Sequence, residues 1–230
     1  MNFDKIVTPI NSASACGVNI RYDDDFKKLY FNIKDERNYA RIEERAPPEG
    51  ENGHAPDEVM RLSAHWNEVS NLGLNILYSK SKDIEVLAWL CEAQLRLRGF
   101  EGLRDVFKAI AFLIENHWED LHSVGDETFE DKLAPLAGLN GLGGEGTLIQ
   151  PLRLAPLVPG FRFGNFSLWN YQLSQRAGET RMREELQQAC DAAGVSAMAE
   201  HLDIVDQSVA ALDDIAATLE DRCGREAPSM

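Results

Sequence analysis

The sequence predicts an all-α protein, a multi-helix bundle of packed antiparallel helix pairs with at most one short β-hairpin near residues 161–168. Three observations predict it. Apolar residues recur at helical spacing through most of the 230 residues, the strongest such stretch, 82–122, breaks at Gly99, and two short apolar runs flank a two-residue hairpin turn at Gly164-Asn165.

Residues 82–122 read as two amphipathic helices joined at Arg98-Gly99-Phe100. In the first, Ile84, Leu87, Ala88, Cys91 and Leu95 form one stripe, and Asp83 stands where a capping carboxylate is favoured. In the second, Leu103, Val106, Phe107, Ile110, Leu113, Ile114, Trp118 and Leu121 share a face opposite a charged one. Gly99 can take the left-handed conformation that ends a helix, so the chain reverses and the two helices lie antiparallel. Residues 86–91 and 109–114 are apolar nearly all round, and neighbouring helices must therefore cover the pair on several sides.

Taken in order, residues 1–22 are irregular because Pro9, the Asn11 to Ser14 cluster and Gly17 disfavour a regular element. A helix begins at Asp23, with Phe26, Leu29, Tyr30 and Ile33 on its apolar side, and residues 34–45 continue as a mostly charged segment. Residues 46–56 read as a loop by their Pro and Gly content, after which Asp57 caps a third helix bearing Leu62, Trp66, Val69, Gly73, Ile76 and Leu77 on one face. Phe129, Leu133, Leu136 and Leu139 mark a short helix that Pro135 begins or kinks, ended by the glycines of 138–146. Between 147 and 169 three prolines are expected to break any helix. Phe161 and Phe163 then pair with Phe166 and Leu168 around Gly164-Asn165, or Ser167 caps a helix, or both occur in succession. Residues 180–193 are helical up to Gly194, and 196–219 carry Met198, Leu202, Val205, Val209, Leu212, Ile215 and Leu219 at heptad-like spacing. No internal repeat of fixed period is present. The expected organisation is a single domain over 1–223, with 224–230 as the start of a linker.

Charge limits the partners. Lys and Arg number 23 against 38 Asp and Glu, a net charge of −15, which repels polyphosphate backbones and anionic membranes alike. Nucleic acid is therefore not an expected partner, nor is direct membrane insertion, because no apolar run approaches the length of a span. Cys16, Cys91, Cys190 and Cys223 are scattered without a CxxC, and the first residues lack the apolar core of an export signal. The expectation is a soluble, reduced, intracellular chain.

Motifs of catalysis or metal binding are weak. Gly141, Gly143 and Gly146 fit G-x-G-x-x-G, but no strand precedes them, no helix is expected to follow, and Glu145 would oppose a phosphate. His117 and His122 stand five residues apart, which turns their imidazoles about 140° from each other on an ideal helix. His54, His65 and His201 have no nucleophile beside them in sequence. No catalytic, cofactor-binding or metal-ligating residue is assigned. A small helical enzyme using the His117 to His122 region or the glycine loop, dependent on a metal or a nucleotide, stands as the weaker alternative.

Several stretches together resemble the N-terminal domain of the ImpA/TssA family of bacterial type VI secretion systems. Cys16-Gly17-Val18-Asn19-Ile20-Arg21-Tyr22-Asp23 followed by Phe26 is similar to its opening PCGxDLRYDxxF signature, with Ala15 for the proline and Asn19 for the acid. Trp66 to Val69 resembles its WxxV segment, and Ser81-Lys82-Asp83-Ile84 with Trp89-Leu90 and Leu95 to Gly99 resembles its SKDLxxAxWLxxALLRLxG block. Leu152 to Leu157 and Phe166 to Tyr171 are similar to its LRRAPL and FSLxDY blocks. The resemblance implies a non-catalytic, cytoplasmic assembly domain with no cofactor, acting on baseplate, tube and sheath components and possessing further C-terminal domains that oligomerise. A sheath-capping accessory protein sharing the domain is the alternative. Arg21, Tyr22 and Asp23 are the candidate partner-binding residues, set against a structural reading in which Tyr22 packs on the core and Asp23 caps a helix. Trp89 and Trp118 are expected in the core.

Overall fold

A computed structural model describes residues 1–45, 62–141 and 144–229. Within them lie α1 (Phe3–Val7), α2 (Lys27–Arg45), α3 (His65–Ser79), α4 (Ile84–His117), α5 (Phe129–Asn140), α6 (Ile149–Leu154), α7 (Leu168–Ser174) and α8 (Thr180–Cys223), then a single 3₁₀ turn at Gly224–Glu226. Among the described residues there is no strand, and only three isolated bridges occur.

The chain reverses inside α4. Gly99 adopts φ 61°, ψ −149°, and three residues later a Cβ on Gly102 would lie 2.5 Å from the carbonyl oxygen of Gln94, a separation that an unbroken helix does not permit. At the open end of this hairpin the Ile84 N–H donates to the His122 carbonyl (2.8 Å) and the His122 N–H to the Lys82 carbonyl (3.1 Å). Two antiparallel arms result, and the first lies in the middle of the fold, every residue from Val86 to Arg96 being buried, while the second buries one face. Trp89 and Trp118 are buried with them.

The other helices cover this hairpin. The Trp66 and Arg96 side chains meet, Ser70 accepts from Gln94, and Gly73 leaves room for Leu90, so α3 runs antiparallel to the first arm. Contacts of Glu44 with Trp66 and of Ile33 with Gly73 set α2 antiparallel to α3 in the same way. The direction changes at α8. Ser208 bonds to the Phe100 carbonyl and Arg222 to the Glu115 carbonyl, so the second arm of α8, after a break at Gly194 (φ 79°), runs parallel to the second arm of α4. One continuous cluster of buried apolar residues extends from Ile6 to Cys223.

Several local expectations are corrected. Residues 1–22 are not wholly irregular, since Asn2 caps the short α1 by accepting from the Lys5 N–H. Residues 147–157 do contain a helix, α6, because Pro151 falls in its first turn, where the missing N–H has no intrahelical partner to lose. No β-hairpin forms at 161–168. Gly164 (φ 88°) and Phe166 (φ 45°) turn the chain so that Leu157 N–H meets the Phe166 carbonyl, and Ser167 instead caps α7 through a reciprocal bond pattern with Asn170. The expected cap at Asp57 lies outside the described residues, as does the 46–56 loop, and the observed third helix begins at His65. Pro135 lies inside α5, which Thr128 caps.

Candidate functional site

Two of the signature stretches, fifty and more residues apart, close on one another. The Val18 N–H donates to the Lys80 carbonyl (3.1 Å) and the Lys82 N–H to the Cys16 carbonyl (2.8 Å), with Gly17 opposite Ser81. Gly17 (φ 71°) is required there, since a Cβ would lie 2.1 Å from the Lys80 carbonyl oxygen. His122 completes the clasp, its Nε2 standing 3.3 Å from the Gly17 carbonyl oxygen.

Charge is buried inside this clasp and paired. The Asp83 carboxylate, with no exposed side-chain surface, caps α4 by accepting from the Glu85 and Val86 N–H groups (2.9 and 3.1 Å) and also receives both terminal nitrogens of Arg21. The second of these nitrogens also donates to Glu85 Oε2 (2.7 Å), to which the Tyr30 hydroxyl donates as well (3.0 Å). Burial opposes the Arg21 charge, but Asp83 and Glu85 outweigh it and hold its guanidinium above the ordinary range. Burial, helped by Glu85, pushes the Tyr30 phenol up to about 12. The Tyr30 ring lies between the Arg21 guanidinium (4.8 Å) and the Trp89 ring (5.7 Å).

Lys82 is 1 % exposed and donates to the Leu77 carbonyl at the C-terminal end of α3 (2.6 Å) and to the Lys5 carbonyl of α1 (3.4 Å). Burial without a carboxylate partner pushes its ammonium down to about 8. The nearby Cys16 thiol is pushed up to about 11, by burial first and then by Asp120.

A second buried set joins α2 to α4. Arg37 donates to Glu92 (2.6 and 2.9 Å), Arg96 pairs with Glu44 (3.0 Å) and covers the Trp66 ring, and Trp66 Nε1–H donates to Glu44 (2.6 Å). The charged segment 34–45 thus turns part of its charge inward. Glu92 and Arg96, four residues apart within a mostly apolar arm, are the sequence signal that could have shown it.

The candidate partner-binding residues separate into two kinds. Arg21 is held inside the clasp, its side chain 8 % exposed, and Asp23 caps the turn into α2 through the Asp25 and Phe26 N–H groups. Tyr22 does not pack on the core as the structural reading expected. It is 78 % exposed, because it ends a turn closed by Asn19 and the inward places are taken by Ile20 and Arg21. Further along the same connection, Phe31, Tyr39 and Ile42 are exposed on one face of α2.

The weaker motifs do not assemble. Thr147 and Leu148 N–H groups bond to the Gly138 and Leu139 carbonyls, so Gly141 and Gly146 let the chain fold tightly over the end of α5; Gly143 lies outside the described residues. His117 packs beside Phe112 while His122 sits in the clasp. His65 meets Glu36 (2.6 Å), His201 meets the Pro156 carbonyl (3.1 Å), and His54 is outside the described residues. Among the described residues no three His, Cys, Asp or Glu side chains gather as a metal site would need.

Residues 7–141, which contain both halves of the clasp and the whole of α4, match the family model described as ImpA, N-terminal, type VI secretion system. The chain belongs to this family. A solved structure with similar architecture is the N-terminal domain, including the conserved ImpA_N region, of the TssA component of the type VI secretion system from Burkholderia cenocepacia. The two share 22 % identity over 99 % of this chain and 86 % of that one, with a TM-score of 0.67, a likeness of fold. No curated protein matches the chain in sequence. As an ImpA_N domain it is a type VI secretion component, and no described helix is long and apolar enough to cross a membrane.

Proposed function

We propose that residues 1–223 act as one non-catalytic interaction domain of a cytoplasmic type VI assembly protein, contacting baseplate, tube or sheath components. One observation carries this reading: Arg21 and Asp83 of the family signature hold each other inside the clasp, with Glu85 on the same guanidinium, while Tyr22 beside Arg21 is turned out to solvent. Tyr22 is the proposed contact residue, with Arg21 and Asp23 fixing the turn that presents it, and an aromatic ring with a hydroxyl suits a protein interface.

The experiment is capture of purified baseplate, tube and sheath components by the chain and by Tyr22→Ala. Capture of at least one component, weakened by the substitution while the thermal melt is unchanged, is the expected result. Absence of capture by the folded wild-type chain would end the proposal, and undiminished capture by Tyr22→Ala would move the contact elsewhere.

A further inference from the structure

The heptad-like stripe on the second arm of α8 is divided between two tasks. Its C-terminal members Ile215 and Leu219 are buried in the core, whereas Leu202 and Val209 are 60 % and 53 % exposed and Val205 and Leu212 only half-buried. Beside Val205, Val209 and Leu212 the surface sinks into an open groove of about 250 Å³ whose floor is Leu103 and Phe107 of α4. Leu139 of α5 and Leu152 of α6 form its far wall. Ser208 and Asn140 are the polar residues of the lining, and both are engaged, the Ser208 hydroxyl by the Phe100 and Ile204 carbonyls and the Asn140 amide by the Ser229 carbonyl (3.4 Å). No Lys or Arg lines the groove. The site is built for an apolar occupant.

Its rim has a sign. Asp206 and Asp213 follow Val205 and Leu212 by one residue, which places both along the solvent side of the stripe, and both are exposed. Asp203, Asp214 and Glu220 add to the field of the same arm, on a chain of net charge −15. A second copy docking here about a two-fold axis would set these acids against their own equivalents. An amphipathic helix of the opposite charge meets no such repulsion.

We propose that the groove receives a helix from a protein partner, its apolar face presenting anchors at i, i+3 or i+4 and i+7 and its flank carrying Lys or Arg. The inference rests on the interaction-domain reading and names the chemistry of one partner element. Val205, Val209 and Leu212 supply apolar contact, while Asp206 and Asp213 select the flank and accelerate encounter.

The test uses the 230-residue chain and three labelled synthetic helices in fluorescence anisotropy. One has leucine anchors with a lysine flank, one the same anchors with a glutamate flank, and one the lysine flank with anchors changed to serine. The lysine-flanked helix should bind, more weakly as salt rises, and the other two about tenfold less tightly or worse. Val209→Glu, at an exposed position that leaves the fold intact by circular dichroism, should weaken the lysine-flanked helix by about tenfold. Asp206→Lys with Asp213→Lys should reverse the preference between flanks. Equal binding of the two leucine helices, no binding of either, or a wild-type dimer that Val209→Glu dissociates would each overturn the proposal. Failed peptide binding with successful capture of secretion components overturns the groove alone, and the converse overturns the functional reading alone.

Discussion

Arg21 and Asp83, sixty-two positions apart, share a two-pronged ion pair in which the same carboxylate also caps the central helix α4. One side chain thereby sets where the helix starts and where the N-terminal segment lies against it. Removing one partner of a buried pair leaves the other charge unsatisfied, so Arg21→Met should lower stability by about 3–5 kcal/mol. Asp83→Asn keeps a good capping residue and loses only the charge, while Asp83→Ala loses both and should cost about 1 kcal/mol more. Urea unfolding of the three variants reads these values, and a neutral Asp83→Asn would show that the cap alone matters.

Lys82 predicts a pH dependence of definite sign. Its folded-state value is about 8 against an ordinary 10.5, so between these limits the unfolded chain holds a proton that the folded chain has released. Stability from this group therefore rises with pH across that window, by up to about 1.4 kcal/mol per pH unit. Cys16 works in the opposite sense above about 9, because its thiol is raised to about 11 in the fold. Urea unfolding of wild type and Lys82→Met, compared between about pH 7 and pH 9, isolates the lysine: their difference in stability should shift in favour of wild type as pH rises. A constant difference would mean that Lys82 keeps its proton throughout.

What was legible in the sequence was what depends on near neighbours. The Asp83 cap, the reversal at Gly99, the break at Gly194 and the Ser167 cap are each fixed within a few residues, and each appears where the pattern placed it. The clasp was not legible as geometry. That Arg21 finds Asp83, that Glu92 finds Arg37, and that the second arm of α8 runs parallel to α4 are set by packing across the whole chain. Short helices such as α1 and α6 carry too few residues for a period to show. Tyr22 was misplaced because an apolar ring beside a cap was expected inward, whereas the turn from Asn19 gives that place to Ile20.

The four cysteines should differ sharply in reactivity. Burial raises the thiols of Cys16, Cys91 and Cys223, which removes both access and thiolate, whereas Cys190 is half-buried on the first arm of α8. Ellman's reagent should therefore titrate one thiol quickly in the native chain and the remainder only on unfolding, and Cys190→Ser should abolish the fast phase. A fast phase that survives the substitution would place the accessible thiol elsewhere.

Two glycines of positive φ should respond differently to the same substitution. Gly99 (φ 61°, ψ −149°) has open space where a Cβ would go, so Gly99→Ala meets only backbone strain, about 1–3 kcal/mol. At Gly17 (φ 71°) the added carbon meets the Lys80 carbonyl oxygen at 2.1 Å, and backbone on both sides must separate to admit it. That movement stretches the Val18 to Lys80 and Lys82 to Cys16 hydrogen bonds and draws Arg21 away from Asp83. Gly17→Ala should therefore cost more than Gly99→Ala, by about 1 kcal/mol or more for each hydrogen bond lost on top of the strain common to both. Combined with Arg21→Met, its effect should be less than additive, because the two changes disrupt one clasp. Thermal melts of the two single variants and the double variant decide the matter, and full additivity would show that Gly17 and Arg21 serve separate contacts.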